Sequence, residues 1–374
     1  MEHPLVSITV CVRNGDHWID GCLDALISQT YPNVEILLVD DGSTDGGSER
    51  AKHWHDPDGQ RGPPVRVHHQ AALGLSAGRS WAVEHAKGTW VAITDIDVRP
   101  EHDWITNLVM AANPVDDVEK VVAVTGRTVF ERAEDLVSRI RSVEIASKYQ
   151  SRPRRTSLAN GPCSMFHRES LSMIGGFDPN WYHAEDMEVS LRLLETGGTI
   201  VYAPDALVRH VPETGTSLFL HKRRRDARAH VRILRHYPRR KRKGPAFDFL
   251  GSSTMVVFLF PIWLLIAGFS LPMLLSSAGG IIDTPDSFAL WQTQGILLSG
   301  ILLMLHEAIL WRGSLGVVNR EVINSSTKGK LRVMIGVRWL TIRWSIALWQ
   351  GTLLGCMDAM LGRHGHRRLF RSKP

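Results

Sequence analysis

The first 112 residues alternate strand-length runs of β-branched residues with helix-length amphipathic runs, and this alternation constrains the fold most strongly. The predicted strands cover residues 6–12, 35–40, 65–69 and 90–95, and the predicted helices cover residues 18–29, 47–55, 75–86 and 101–111. Strand, helix, strand, helix predicts an α/β domain with a largely parallel sheet. In such sheets ligands bind beyond the carboxyl ends of the strands, so the residues that follow each strand are candidates for a binding site.

Polar and acidic residues follow three of these strands. Arg13 follows the first, Asp40 and Asp41 end the second, and Asp95 and Asp97 end the fourth. The sequence has no GxGxxG after the first strand and no GxxxxGK[ST], so a glycine-rich phosphate loop is not predicted. Two carboxylates two positions apart lie on one side of an extended chain and suit a hard divalent cation with positions open for phosphate oxygens. The pattern predicts a cation-dependent site for a phosphorylated ligand.

Positive charge is concentrated in one segment. Residues 222–243 contain twelve Lys or Arg residues and one acid, Asp226, whereas the whole chain has a net charge of +6. Polybasic segments next to apolar ones are attracted to anionic membrane surfaces by about 1 kcal/mol per residue. A solvated helix face is the alternative. A nucleic-acid partner is not predicted, because Tyr237 is the only aromatic residue in the block that could stack on bases.

Apolar segments follow the basic block. Residues 249–278 contain no charged residue, and residues 288–311 are a second candidate for a membrane span, which needs about 20 residues. The linker at 279–287 has two acids and no base, so the positive-inside rule predicts a hairpin whose flanks and preceding domain are cytoplasmic. We expect the third stretch, 331–361, to lie in the membrane interface, with a spanning orientation as the alternative. The absence of a basic and apolar N-terminal leader agrees with a cytoplasmic first domain.

Six motifs in the first 215 residues occur in the order seen in GT-A-fold glycosyltransferases of family 2, which the chain resembles. They are Arg13-Asn14, YPNVEILLVDDGSTD at 31–45, Gly78-Arg79, GTWVAITDID at 88–97, IGGFD at 174–178 and Glu185-Asp186. The resemblance implies a GT-A nucleotide-sugar-binding domain with a mostly parallel, twisted sheet at 1–215. A basic membrane-surface helix and linker at 216–246 and an α-helical membrane region of two or three helices at 247–374 are predicted to follow.

The resemblance assigns a donor site. It implies that Asp41, with Asp40 beside it, contacts the edge of the nucleobase and that Arg13 belongs to the same site. Arg79 is implied to approach the nucleoside diphosphate. Ser80 stands where the family usually has Asn, so the chain departs from the family pattern next to that contact.

The resemblance also assigns a metal site. It implies that Asp95 and Asp97 hold Mg²⁺ or Mn²⁺ against the diphosphate of a nucleotide-sugar donor, and Asp95 is counted with the donor site as well. His210 is a further candidate ligand, since relatives often carry a His near the metal after the corresponding strand. Such a cation neutralises the charge that develops on a leaving nucleotide.

Asp186 is the predicted general base. Inverting transfer needs one carboxylate on the acceptor side that takes the hydroxyl proton as the oxygen attacks the anomeric carbon. Glu185 and Asp186 begin an amphipathic segment, where the helix dipole favours ionised carboxylates. Glu185, Arg224 and Arg228 are assigned to the acceptor side, where the arginines would meet a phosphate.

These assignments predict a membrane-anchored inverting glycosyltransferase that moves a sugar from a nucleotide-sugar donor to a membrane-associated acceptor at the cytoplasmic face. The acceptor is left open between a lipid-linked molecule, a glycan and a peptide. Processive members of the family carry Gln-x-x-Arg-Trp, but Leu340 stands at the Gln position before Arg343-Trp344, so a non-processive reaction is predicted. An inactive membrane scaffold for envelope glycan assembly is the alternative, and the intact acidic motifs argue against it.

Overall fold

The chain forms one mixed sheet flanked by helices, followed by a helical region, in a computed structural model that describes residues 3–113, 119–181, 183–245, 256–279, 286–324 and 330–363. The strands are β1 Val6–Val12, β2 Val34–Asp41, β3 Val65–Gln70, β4 Trp90–Asp95, β5 Val98–Pro100, β6 Val121–Phe130, β7 Arg155–Thr156, β8 Ser164–His167 and β9 Thr199–His210. The helices of the first part are α1 Asp16–Ile27, α2 Gly47–His53, α3 Leu75–His85, α4 Trp104–Ala111, α5 Leu136–Gln150, α6 Arg168–Met173, α7 Glu185–Glu195 and α8 Thr216–His236. Those of the second part are α9 Leu259–Gly279, α10 Asp286–Leu310, α11 Gly313–Asn324 and α12 Lys330–Met360.

The strands are ordered β3-β2-β1-β4-β8-β6-β9-β5, and β7 also pairs with β9. The four strands β1 to β4 run parallel to one another. β8 is antiparallel to both β4 and β6, and β5 and β7 are antiparallel to β9. The predicted parallel sheet is therefore confirmed for the first four strands. The second half contains both parallel and antiparallel pairs, because β8 starts beside the end of β4 and runs back along it.

The central strands are buried on both faces, which explains their continuous apolar runs. In β2, Ile36 and Leu38 pack in one hydrophobic cluster with α1 and α4. Leu37 and Val39 point to the opposite face and pack with α3 and α7. Burial of each such side chain contributes about 1.5–3 kcal/mol, so this alternation fixes the register of the strands. The register in turn fixes which polar residues emerge together at the carboxyl edge.

The basic helix α8 packs against α12, and the two helices run in the same direction. Phe219, near the beginning of α8, contacts Trp344 in the middle of α12, with ring centroids 5.1 Å apart. Further along, a Cβ atom added to Gly351 would lie 2.1 Å from the carbonyl oxygen of Arg224, and Gly355 makes a similar contact one turn later. Small residues four positions apart allow this close approach of two helices. The third apolar stretch therefore lies along the basic helix.

One helix within the described ranges is long and apolar enough to cross a bilayer, the segment Thr293–Leu310 of α10. A shorter apolar segment, Leu259–Leu271, lies in α9. Part of the first predicted span, residues 249–255, and most of the predicted linker, residues 280–285, lie outside the described residues. The most exposed large apolar side chains of α10 are Ile296, Leu297 and Met304, each more than 60% exposed. The two-span hairpin stays a prediction.

Candidate active site

The parallel strands bring the predicted donor residues to one edge of the sheet. Asp95 and Asp40 pair with the last residues of β1, from opposite sides. The turn after β1 contains Arg13, whose side chain is exposed, and Asn14, which has a left-handed backbone with φ 55°. The Asn14 backbone N–H donates to Ser43 Oγ at 2.9 Å, which joins this turn to the one after β2. The predicted cluster of polar side chains is therefore present.

Asp40 is buried and held by three groups of its own domain. Its carboxylate accepts hydrogen bonds from the Ser43 backbone N–H at 3.1 Å and from the Ser48 hydroxyl, and it lies 3.1 Å from His69 Nδ1. Burial by itself raises the pKa of Asp40, but the hydrogen bonds from Ser43, Ser48 and His69 outweigh burial and lower the pKa. Asp40 therefore stays ionised and fixes the turn after β2.

Asp41 is buried too, and its carboxylate organises the segment after β3. It accepts hydrogen bonds from Gln70 Nε2 at 2.7 Å, from the Leu73 backbone N–H at 2.8 Å and from the Gly74 backbone N–H at 2.9 Å. Three donors satisfy most of the acceptor capacity of one carboxylate. Asp41 thus lies at the predicted place, and its contact with a nucleobase stays a prediction.

Arg79 joins the two acidic parts of the site. Its side chain is 3% exposed, with Nη2 2.9 Å from Asp95 Oδ1 and Nη1 2.7 Å from Glu185 Oε1. Gly161 borders the guanidinium, and a Cβ atom there would lie 3.1 Å from Nη2. One buried guanidinium therefore sets the distance between the end of β4 and the beginning of α7. The resemblance assigned Arg79 to the diphosphate and Glu185 to the acceptor side. It did not predict the ion pair between them.

Asp97 and His210 lie side by side at the ends of neighbouring strand segments. Asp97 Oδ2 is 3.5 Å from His210 Nε2, and His210 stacks on Phe130 with centroids 4.3 Å apart. His210 Nδ1 lies 2.8 Å from the carbonyl oxygen of Val211 and carries a proton, so Nε2 is the ring nitrogen that faces Asp97. Nε2 donates to that carboxylate when the ring is charged and offers a lone pair to a cation when the ring is neutral. Burial raises the pKa of Asp97, and the neighbouring His210 opposes that rise.

A carboxylate and an imidazole with a free lone pair are suitable ligands for Mn²⁺, and a carboxylate suits Mg²⁺. Among the described residues, no three His, Cys, Asp or Glu side chains are close enough to form a complete metal site. A cation at Asp97 and His210 would therefore need oxygen ligands from a bound molecule or from water. Phosphate oxygens of a donor have that chemistry.

Asp186 is the second residue of α7, and it accepts a hydrogen bond from the Gly161 backbone N–H at 3.2 Å. The chain enters α7 through His183 and Ala184, two consecutive non-glycine residues with left-handed backbones, φ 64° and 59°. Burial, followed by the negative charge of Glu185, raises the pKa of Asp186 to about 6. A carboxylate with that pKa is mostly ionised at pH 7 and is suited to accept a proton near neutral pH.

A cavity of about 780 Å³ lies between the segment before α7 and helix α8. Arg232 of α8 lies over the Trp181 ring at 4.3 Å, and its Nη2 donates to the carbonyl oxygen of His183 at 3.1 Å. Ser76 of α3 donates to the carbonyl oxygen of Trp181 at 2.5 Å. The segment that leads to Asp186 is thus held from both sides. Trp181 and Arg232 were not predicted from the sequence. The signal for Trp181 was an aromatic residue just before the Glu185-Asp186 motif, whereas nothing distinguished Arg232 from the other bases of the basic block.

The two arginines assigned to the acceptor side have different surroundings. Arg228 makes two hydrogen bonds to Asp358 of α12, at 2.6 and 2.8 Å. Arg224 is exposed and lies two residues from Lys222, which in a helix is about 200° around the axis. Lys222 lies 3.7 Å from Glu213, and its positive charge opposes the rise in the pKa of Asp97. Lys222 therefore faces Glu213, whereas Arg224 lies on the other side of α8, and the acceptor role of both arginines stays a prediction.

Parts of this chain are similar in sequence to known proteins, and a solved structure has a similar architecture. Residues 7–175 match the family model described as Glycosyl transferase family 2. The chain is 31% identical over 154 residues to the putative glycosyltransferase EpsH of Bacillus subtilis (strain 168), covering 41% of this chain and 42% of EpsH. It is 26% identical over 214 residues to the glycosyltransferase AglE of Haloferax volcanii, covering 55% of this chain and 67% of AglE. The chain thus spans less than half the length of EpsH.

A solved structure with the same architecture is the mannosyltransferase PcManGT from Pyrobaculum calidifontis, in complex with GDP-Man and Mn²⁺. The TM-score is 0.52 at 18% identity, covering 97% of this chain and 89% of that chain. This likeness concerns the fold, which is that of GT-A glycosyltransferases. Residues 7–175 therefore match the glycosyl transferase family 2 model, within a domain that has the GT-A fold.

Proposed function

We propose that this chain is a metal-dependent, inverting glycosyltransferase that transfers one sugar from a nucleotide-sugar donor to a membrane-associated acceptor at the cytoplasmic face. The observation that carries the proposal is the position of Arg79, which contacts Asp95 on the donor side and Glu185 next to Asp186. A cation site and a carboxylate with the properties of a base are thereby held together in one crevice.

On the donor side, Asp95, Asp97 and His210 would hold Mg²⁺ or Mn²⁺, and a bound cation supplies positive charge to the leaving nucleoside diphosphate. Arg13, Asp40 and Asp41 border the place of the nucleoside. PcManGT, a protein with the same fold, was solved with GDP-Man and Mn²⁺, which supports a nucleotide-sugar donor and a divalent cation here. The positive charge of Lys222 near Asp97 adds to the attraction for a diphosphate.

On the acceptor side, Asp186 takes the proton of the acceptor hydroxyl as that oxygen attacks the anomeric carbon. Attack from the face opposite the nucleotide inverts the configuration. The negative charge of Glu185 is compensated by Arg79, whereas Asp186 accepts hydrogen bonds from the backbone N–H groups of Gly161 and Met187 and keeps its basicity. The cavity beside Trp181 borders the segment that leads into Asp186 and offers space for an acceptor there.

Three features support a location at a membrane. The apolar segment Thr293–Leu310 is long enough to cross a bilayer. Near its end, Glu307 Oε1 lies 2.9 Å from Arg338 Nε of α12, so α12 lies at the level of that end. α12 also packs alongside the basic helix α8. This packing would place both helices along the anionic cytoplasmic surface.

A screen of nucleotide sugars tests the proposed function. Purified full-length chain with Mn²⁺ should release nucleoside diphosphate slowly from one class of donor, and membrane extract should speed the release and move labelled sugar into the lipid phase. Chelation of the metal should stop both. A folded protein that cleaves none of the donors, with or without extract, would instead favour the inactive scaffold.

Topology is tested by labelling single cysteines with an impermeant thiol reagent in intact cells. Cysteines at positions 283, 328 and 370 should be labelled at 283 only, because translocation of the basic block at 239–243 opposes the positive-inside bias. The exposed Cys356 must first be replaced with Ser. Labelling at 328 would contradict the hairpin. Labelling at 370 as well as 283 would keep the hairpin and make the third stretch a span.

A further inference from the structure

We propose that a groove between α8 and α12 binds the phosphate headgroup of an anionic membrane lipid, at a place separate from the active site. The proposal rests on the membrane location proposed above, but not on the transfer reaction. It assigns a ligand to arginines that neither the fold nor the reaction uses. The groove has a volume of about 410 Å³.

Two guanidinium groups from different helices line the groove. Arg224 comes from α8 and Arg343 from α12, and His221 lies next to Arg224 with Nδ1 3.5 Å from Nη2. Leu220 and Ile346 supply an apolar wall. Two arginines from separate helices that line one groove suit a phosphate, whose oxygens Arg binds with paired hydrogen bonds. An apolar wall beside them suits the glycerol and upper acyl part of a lipid.

Within the described residues, no acidic side chain forms an ion pair that compensates the charge of these two arginines. Within the part of the chain that the structure describes, neither Arg224 nor Arg343 forms an ion pair. The neighbouring Arg228, in contrast, is paired with Asp358 at 2.6 Å. Two like charges that face one groove repel each other, and an anion between them removes the repulsion. The groove is therefore built for a negative ligand.

The surface next to the groove indicates that this ligand is a lipid. Residues of α12 at spacings of three and four are apolar and exposed, which places them on one face of the helix. The most exposed members of this face are Met360 at 79%, Leu331 at 71%, Trp339 at 61%, Ile335 at 60% and Leu353 at 57%. Arg343 lies at the border of this face. An apolar face bordered by arginines is typical of a helix in the membrane interface, with lipid phosphates at the level of the arginines.

The groove is distinct from the acceptor site. The residues that line the groove and those that line the cavity beside Trp181 do not overlap, and Arg224 lies about two turns of α8 away from Arg232 of that cavity. A lipid in the groove therefore positions the catalytic domain on the bilayer and is not consumed. This differs from the acceptor role that the sequence suggested for Arg224.

Binding of a short-chain lipid to the full chain in neutral detergent tests the proposal. Dioctanoyl phosphatidylglycerol should raise the midpoint of thermal unfolding in a saturable way, and dioctanoyl phosphatidylcholine should not. The double variant Arg224→Gln/Arg343→Gln should weaken the apparent affinity for phosphatidylglycerol at least tenfold, which corresponds to about 1.4 kcal/mol. The matched control Arg239→Gln/Arg240→Gln also removes two positive charges, but from a part of the basic block that lies outside the groove. It should change the affinity less than twofold.

Three results would overturn the proposal. Equal losses in the two double variants would mean that total charge, and not the groove, attracts the lipid. Equal binding of phosphatidylcholine would mean that the apolar face alone acts, and displacement by an equal concentration of inorganic phosphate would indicate a free-anion site. If the first double variant does not fold without lipid, Arg224→Lys/Arg343→Lys replaces it, with a several-fold loss expected because Lys lacks the paired geometry. Donor cleavage by the wild-type chain is measured separately. A failure of the proposed function can therefore be distinguished from a failure of the lipid site.

Discussion

Replacement of Asp186 with Asn is expected to lower the rate of sugar transfer by about a hundredfold or more and to leave donor affinity close to that of the wild type. Asn preserves the shape of the side chain, and its oxygen still accepts the hydrogen bond from the Gly161 backbone. The Arg79 pairs with Asp95 and Glu185, which shape the donor side, are untouched. Only the basicity of residue 186 is removed. Single-turnover rates and calorimetric titration with a nucleoside diphosphate and Mn²⁺ measure the two quantities.

The pH dependence provides a control within the same experiment. The pKa of Asp186 is raised to about 6, so the wild-type rate should fall as the pH drops through 6 and the carboxylate becomes protonated. Asp186→Asn should lose this limb of the profile while keeping its low rate. If donor affinity fell as much as turnover, Asp186 would belong to the donor site and the assignment of the base would be wrong.

Replacement of Asp97 with Ala is expected to abolish Mn²⁺-dependent binding of a nucleoside diphosphate. The change removes the carboxylate next to His210, and the remaining Asp95 is already engaged by Arg79 at 2.9 Å. One shared carboxylate and one imidazole cannot compensate both the cation and the diphosphate. Calorimetric titration with and without Mn²⁺ measures the effect.

The control for this variant is Asp205→Ala, which removes an exposed carboxylate from the same strand as His210. It should bind the nucleoside diphosphate with Mn²⁺ as the wild type does. Unchanged affinity in Asp97→Ala would refute the metal assignment, and equal weakening in both variants would show only a general effect of acidic charge.

Local patterns predicted the first half of the sheet well. The predicted strands at 6–12 and 90–95 have the observed bounds, β3 ends one residue later than predicted, and β2 is one residue longer at each end. These strands are buried on both faces, so their apolar runs begin and end with the strands themselves. Because parallel strands end at one edge, the clustering of Asp40, Asp41 and Asp95 followed directly from the sequence.

The rest of the site depends on contacts between distant parts of the chain. Arg79 and Glu185 are 106 positions apart, and no local pattern links them. Strand β9 continues past Tyr202 to His210 across a bulge that contains Pro204: Tyr202 pairs with Thr125, and the next partner pair is Leu207 with Arg127. This continuation brings His210 opposite Val98 of β5. Sequence periodicity cannot reveal a bulge of that kind.

The parallel pairing of α8 and α12 has a consequence for folding. Two parallel neighbours must be joined by a chain that returns along their length, here about 32 Å for the 21 residues of α8. The Arg228 to Asp358 pair accordingly spans 130 positions, so during synthesis the α12-facing side of α8 stays uncovered until the whole helical region has been made. Contacts of such separation form late and leave apolar surface exposed in the meantime. Mutations at Gly351 or Gly355 would therefore act first on the yield of folded protein and on its recognition by chaperones and proteases.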